Sequence, residues 1–86
     1  MNESEESEIY RRAIEKFGTM KQLEMMIEEA SELIQAIQKY KRYGMSENLK
    51  EELADVSIMV DQLAFAFNVD KIKGKKLVRL LKLLNN

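Results

Sequence analysis

The chain has no proline and only three glycines in 86 residues, and between the glycines its apolar residues recur every three or four positions. Without proline every backbone amide stays available to a helix, so long helices go uninterrupted. Leu23, Met26, Ile27, Ala30, Leu33, Ile34, Ile37 and Tyr40 have the spacing of one helix face. Leu49, Leu53, Val56, Val60, Leu63, Ala64 and Phe67 repeat it. No segment alternates with period two for long enough to read as a strand. The fold class is therefore all-α.

The glycines punctuate the helices. Gly18 and Gly44 read as helix stops. The spacing predicts a first helix over about 7–17, with Ile9, Ala13, Ile14 and Phe17 on one face and residues 1–6 frayed. Thr19 followed by Gln22 reads as a capping box for a second helix reaching Arg42. Tyr43-Gly44-Met45 is the turn, and a third helix runs from Ser46 to Asn68. Asp70 reads as the cap of a fourth, which carries Ile72, Leu77, Leu80, Leu81 and Leu84 and is weakened in its first turns by Gly74. Residues 1–86 make one domain, a helical hairpin with flanking helices. A hairpin this short leaves apolar surface uncovered, so a homo-oligomer (dimer or tetramer) is expected.

Composition narrows the chemistry. The net charge of −1 points to no nucleic-acid or membrane partner. No cysteine or histidine is present, which removes disulfides, thiolate or imidazole zinc sites and Cys- or His-based nucleophiles. This fits a cytoplasmic protein. The acidic, polar N-terminus does not read as a secretory leader, and no stretch approaches the roughly 20 apolar residues of a spanning helix. Carboxylates, lysines, arginines, hydroxyls and amides remain.

The carboxylates fall into two clusters, Glu28-Glu29-Ala30-Ser31-Glu32 and Glu51-Glu52-Leu53-Ala54-Asp55. Each contains a pair three residues apart, Glu29/Glu32 and Glu52/Asp55, which share one side of a helix. At 100° per residue Glu29 lies beside its apolar stripe and Glu52 at the edge of the other. Glu28, Glu51 and Asp61 point farther out. Glu32 and Glu52 stand about 12 and about 8 residues from the Gly44 turn, so their heights differ by only about 6 Å. One acidic run is usually a solvated face. Two at stripe margins on consecutive antiparallel helices point to a site, and four converging carboxylates call for a hard divalent cation.

The arrangement Glu-Glu-x-x-Glu, 19 residues, then Glu-x-x-Asp resembles the signature of the MazG-like all-α nucleoside triphosphate pyrophosphohydrolases. Ile27 to Leu33 and Glu51 to Val56 read like its two halves. Lys16-Phe17-Gly18 with Gln22 upstream, and Lys76-Leu77-Val78-Arg79-Leu80 downstream, resemble small members. The resemblance spans roughly residues 9–84. It implies an oligomer of four-helix-bundle type in which Glu29, Glu32, Glu52 and Asp55 bind Mg²⁺ (or Mn²⁺). It implies cleavage of a nucleoside triphosphate between the α and β phosphates, giving a monophosphate and pyrophosphate. Oxygen-only ligands agree with a hard ion. Glu28 or Glu32 would position or deprotonate the attacking water. Lys76 and Arg79 match the family-like segment and would bind phosphate, for which a guanidinium is well shaped. Gln22 and Phe17 are candidates to touch a base, although Phe17 reads first as core and Gln22 as the cap. Larger members have a longer C-terminal region rich in substrate contacts, so here those contacts are either few or completed by a neighbouring subunit.

Two other readings compete. In a helical interaction module the acids are a solvated face and the apolar stripes a partner surface. Phosphoribosyl-ATP pyrophosphohydrolase has a similar motif, but the segment after Asp55 lacks the pattern expected of it, notably any histidine.

Overall fold

The computed structural model describes residues 1–86 as four helices and no strands: α1 (Glu3–Phe17), α2 (Thr19–Tyr43), α3 (Glu47–Phe67) and α4 (Asp70–Leu84). Three turns separate them, and each depends on a left-handed backbone. Gly18 (φ 87°) and Gly44 (φ 90°) donate their amides to Ile14 O and Tyr40 O, both at 2.8 Å. Asn68 (φ 53°) closes α3 by donating to Ala64 O at 2.9 Å. Glycine and asparagine tolerate this conformation where other residues are strained.

The helix starts differ from the sequence expectation in three places. α1 begins at Glu3 rather than near Ser7, because Asn2 and Glu5 form a reciprocal capping box, with the Glu5 amide donating to Asn2 Oδ1 at 2.9 Å. Thr19 and Gln22 form no box; Gly18 occupies the cap position, and Gln22 is buried instead. Val69 caps α4, leaving Asp70 as its first residue, where an acid still complements the helix dipole.

α2 and α3 pack as an antiparallel hairpin, with α1 laid against α3 and touching α2. The Tyr10 hydroxyl donates to Asp61 Oδ2 at 3.1 Å and ties α1 to α3. α4 makes no more than marginal contact with the other helices. The intrachain core is small: Ala36, Leu49 and Met59, with Gln22 and Gln62, are the buried residues. Met25, Met26 and Leu33 are half-buried.

The hairpin covers the apolar stripes only in part: Leu49 is buried, and Leu23, Met26, Ala30, Leu33, Val56, Leu63 and Ala64 are half-buried. Ile27, Ile34, Leu53 and Phe67 are half or more exposed, at 68%, 60%, 50% and 56%. The seam centres on Gln22, Glu29 and Ala36 of α2, seven residues apart, against Leu49, Glu52, Met59 and Gln62 of α3. On a helix these positions sit to one side of the stripe. The hairpin thus shows an acidic face and, behind it, an apolar one. Phe17, expected in the core, is 54% exposed, with the Lys16 ammonium 5.6 Å from its ring centre.

Candidate metal centre

Glu29 comes from the middle of α2, and Glu52 and Asp55 come from the first half of α3. Each of the three offers a carboxylate oxygen, and these oxygens all lie within 4.8 Å of one another. A short turn of Gly44, Met45 and Ser46 brings the two helices level. Glu29 and Glu52 are half-buried in the seam, whereas Asp55 is exposed at its rim.

The electrostatics are unfavourable for bare carboxylates. Glu29 Oε2 and Glu52 Oε2 are buried, and neither receives a hydrogen bond. Desolvation, followed by the neighbouring charges of Glu32, Asp55 and Glu28, raises the Glu29 pKa above its ordinary value. Glu52 is raised by desolvation first and then by Glu32, Asp55 and Glu29. No lysine or arginine pairs with any of them; the ion pairs are Arg11 with Glu8 and Glu15, and Lys50 with Glu47. Orphaned carboxylate oxygens of this kind are costly unless a cation or a proton satisfies them. The donor set, oxygen throughout and with an open rim, fits a hard divalent ion.

Glu32 stands outside this three-carboxylate group and is exposed. It is nevertheless close enough to raise both Glu29 and Glu52. Glu28 is exposed too, and its charge acts on Glu29. Lys76 and Arg79 lie on α4, exposed and in no ion pair, and within one chain no packing brings α4 to the carboxylates.

Sequence reasoning assigned Gln22 the wrong partner and overlooked Gln62. Gln22 Nε2 donates to Gln62 Oε1 at 2.7 Å, and Gln62 Nε2 reaches Met59 Sδ at 3.8 Å. The signal was present. Gln22 precedes Glu29 by seven residues and Gln62 follows Asp55 by seven, so both continue the carboxylate line toward the open end of the hairpin.

No curated protein and no solved structure matches the chain. A model of the MazG nucleotide pyrophosphohydrolase domain matches residues 16–78, a span that contains the whole α2–α3 hairpin and all of its carboxylates. The chain therefore belongs to the MazG nucleotide pyrophosphohydrolase family.

Proposed function

We propose that the chain hydrolyses a nucleoside triphosphate between its α and β phosphates, in a Mg²⁺-dependent reaction (Mn²⁺ substituting), as a homo-oligomer. The observation that carries this reading is the pair of orphaned oxygens, Glu29 Oε2 and Glu52 Oε2, beside Asp55 in a chain of this family. Glu29, Glu32, Glu52 and Asp55 would hold the ion. Bound there, a divalent ion screens the triphosphate's charge and makes water a better nucleophile at neutral pH.

The chain's residues supply the rest. Glu28 and Glu32 are exposed at the rim of the site, where a carboxylate accepts a hydrogen bond from the attacking water and takes its proton. The raised Glu29 and Glu52 remain half-shielded and positioned by the packed seam. Lys76 and Arg79 would bind phosphate oxygens of the substrate, Arg79 through two parallel N–H donors. Because α4 stands apart from its own hairpin, these cations reach a site only when another surface fixes α4.

Exposed surface supports the oligomer. A compact chain of 10.1 kDa exposes roughly 5,300 Å², whereas this one exposes 7126 Å². Two hairpins that pair by their apolar faces make a four-helix bundle and leave the carboxylates outward.

Pyrophosphate release, measured over the common and modified nucleoside triphosphates with Mg²⁺ or Mn²⁺, tests the activity. Turnover of at least one triphosphate, lost with EDTA, is expected; pure protein that turns over none refutes the hydrolase. Thermal melting with EDTA and with Mg²⁺ separates it from an interaction module, which would be indifferent to the ion.

A further inference from the structure

We infer that the tip of the α2–α3 hairpin is a phosphate-binding site: Lys39 and Arg42 hold the outer phosphates of a polyphosphate whose inner phosphates sit at the carboxylates. This rests on the hydrolase reading and deepens it, by assigning to the tip the β and γ phosphates that leave together as pyrophosphate.

Three observations carry it. First, the two cations are unneutralised. Residues 33–46 contain no acid, and Lys39, Lys41 and Arg42 all fall among them. The positions three and four before Lys39 are Ala36 and Gln35, and those before Arg42 are Lys39 and Gln38. Neither cation joins an ion pair, whereas Arg11 is held by Glu8 and Glu15, and Lys50 by Glu47. Like charges one turn apart on a helix repel. An anion from outside the chain relieves this pair, as a cation relieves Glu29 and Glu52.

Second, the cations line up with the acids. Glu28, Glu32, Gln35, Lys39 and Arg42 follow one another at intervals of four and three residues, which keeps them on one side of α2. All five are exposed. Lys39 stands seven residues beyond Glu32, about 10 Å along the axis. Helical side chains lean toward the N-terminal end of their helix, so the long Lys39 and Arg42 chains reach back toward the carboxylates. The gap that remains suits phosphates joined end to end. Because cations and carboxylates share one helix, their separation is set within a single element, which is not so for Lys76 and Arg79 on α4.

Third, the tip carries a cleft. Lys39 and Arg42, with Ile34, Gln35, Gln38 and Tyr43, line an open cleft of about 360 Å³. Side-chain amides donate to phosphate oxygens, and a guanidinium contacts them two at a time. Complementing the helix dipole accounts for cations in the last turn, Lys41 and Arg42. It accounts neither for Lys39, which precedes that turn, nor for the cleft.

Lys41 supplies the control. It lies nine residues past Glu32, on the opposite side of the helix, and does not line the cleft. Full-length Lys39→Gln, Arg42→Gln, Lys39→Arg and Lys41→Gln proteins are compared with the parent. Calorimetry follows binding of inorganic tripolyphosphate with Mg²⁺, and kcat and KM are measured for a nucleoside triphosphate that the parent hydrolyses. All three side chains are exposed, and circular dichroism checks that the helices remain. Lys39→Gln and Arg42→Gln are each expected to weaken tripolyphosphate binding on the order of tenfold, and to raise KM more than they lower kcat. Lys39→Arg and Lys41→Gln are expected to stay close to the parent in both measurements.

Unchanged tripolyphosphate binding in either glutamine variant of the pair overturns the site, whether or not the parent hydrolyses nucleotides. So does an equal loss in Lys41→Gln, which means that the tip acts only through its overall charge. A loss that follows the identity of the base and spares tripolyphosphate also overturns it, in favour of a tip that reads the nucleobase. A parent without turnover that still binds tripolyphosphate through Lys39 and Arg42 refutes the hydrolase and upholds the phosphate site.

Discussion

Glu29 and Glu52 each hold one carboxylate oxygen out of solvent with no donor, so their substitution separates stability from metal binding. Glu52→Gln removes a repelled charge, and the metal-free protein is expected to melt no lower than the parent. The same change should weaken Mn²⁺ binding on the order of tenfold or more and abolish the melting-temperature rise with Mg²⁺, both read by titration and thermal shift. The pH dependence follows from the direction of the shifts. Both pKa values are raised above 4.5, so in the window above 4.5 the folded state binds more protons than the unfolded one. Stability from this pair is therefore present at the acidic end and is lost as pH rises through the raised values. Metal-free protein should melt progressively lower as pH rises from about 5 toward neutrality, and Glu52→Gln should flatten that slope. Glu8 works in the opposite sense, because its hydrogen bond from Arg11 lowers its pKa; that contribution is lost only as pH falls below 4.5. The spacing in threes of Glu29/Glu32 and Glu52/Asp55 was legible in sequence because it needs only helical geometry. That Glu29 and Glu52 are the shielded pair while Glu32 and Asp55 are exposed depends on how the helices rotate against each other.

At the scale of the element, the helix ends are local chemistry and were mostly readable. Gly18, Gly44 and Asn68 stop helices where the sequence says they should. The Asn2–Glu5 box was missed because an asparagine near the N-terminus looks the same whether or not a helix follows it. Asn2→Ala should cost about 1 kcal/mol and speed amide exchange across the first turns of α1. The Gln22–Gln62 pair was misread for a different reason. A glutamine three residues after a threonine satisfies the capping pattern, and only the packed partner reveals that its side chain faces α3. Gln22→Leu leaves Gln62 with an unsatisfied buried carbonyl and should cost about 1–3 kcal/mol. The double leucine variant should recover most of that loss, since both polar groups go together. Urea denaturation of the two single variants and the double one gives the coupling directly.

At the scale of the whole molecule, a single chain covers little of its apolar surface. It buries only five residues, and α4 stands apart from the other three helices. Ile34 is 60% exposed, so Ile34→Asp would change the stability of an isolated chain little. In the proposed four-helix bundle it would fall in the seam between hairpins, so the substitution should weaken association at least tenfold, measured by sedimentation equilibrium. What the sequence determined by itself was everything set by neighbours along the chain: four helices, their stops, the carboxylate spacing and the match in height across Gly44. What only the tertiary structure decided was which side of α2 meets which side of α3. Two faces compete for that seam, one apolar and one carrying Gln22, Glu29 and Ala36, and helical periodicity describes both equally well. The seam goes to the smaller and partly polar face because Ala36 lets the helices approach and Gln22 finds Gln62. Glu29 and Glu52 are thereby shielded on the front of the hairpin, and Ile27, Ile34, Leu53 and Phe67 are left exposed behind them.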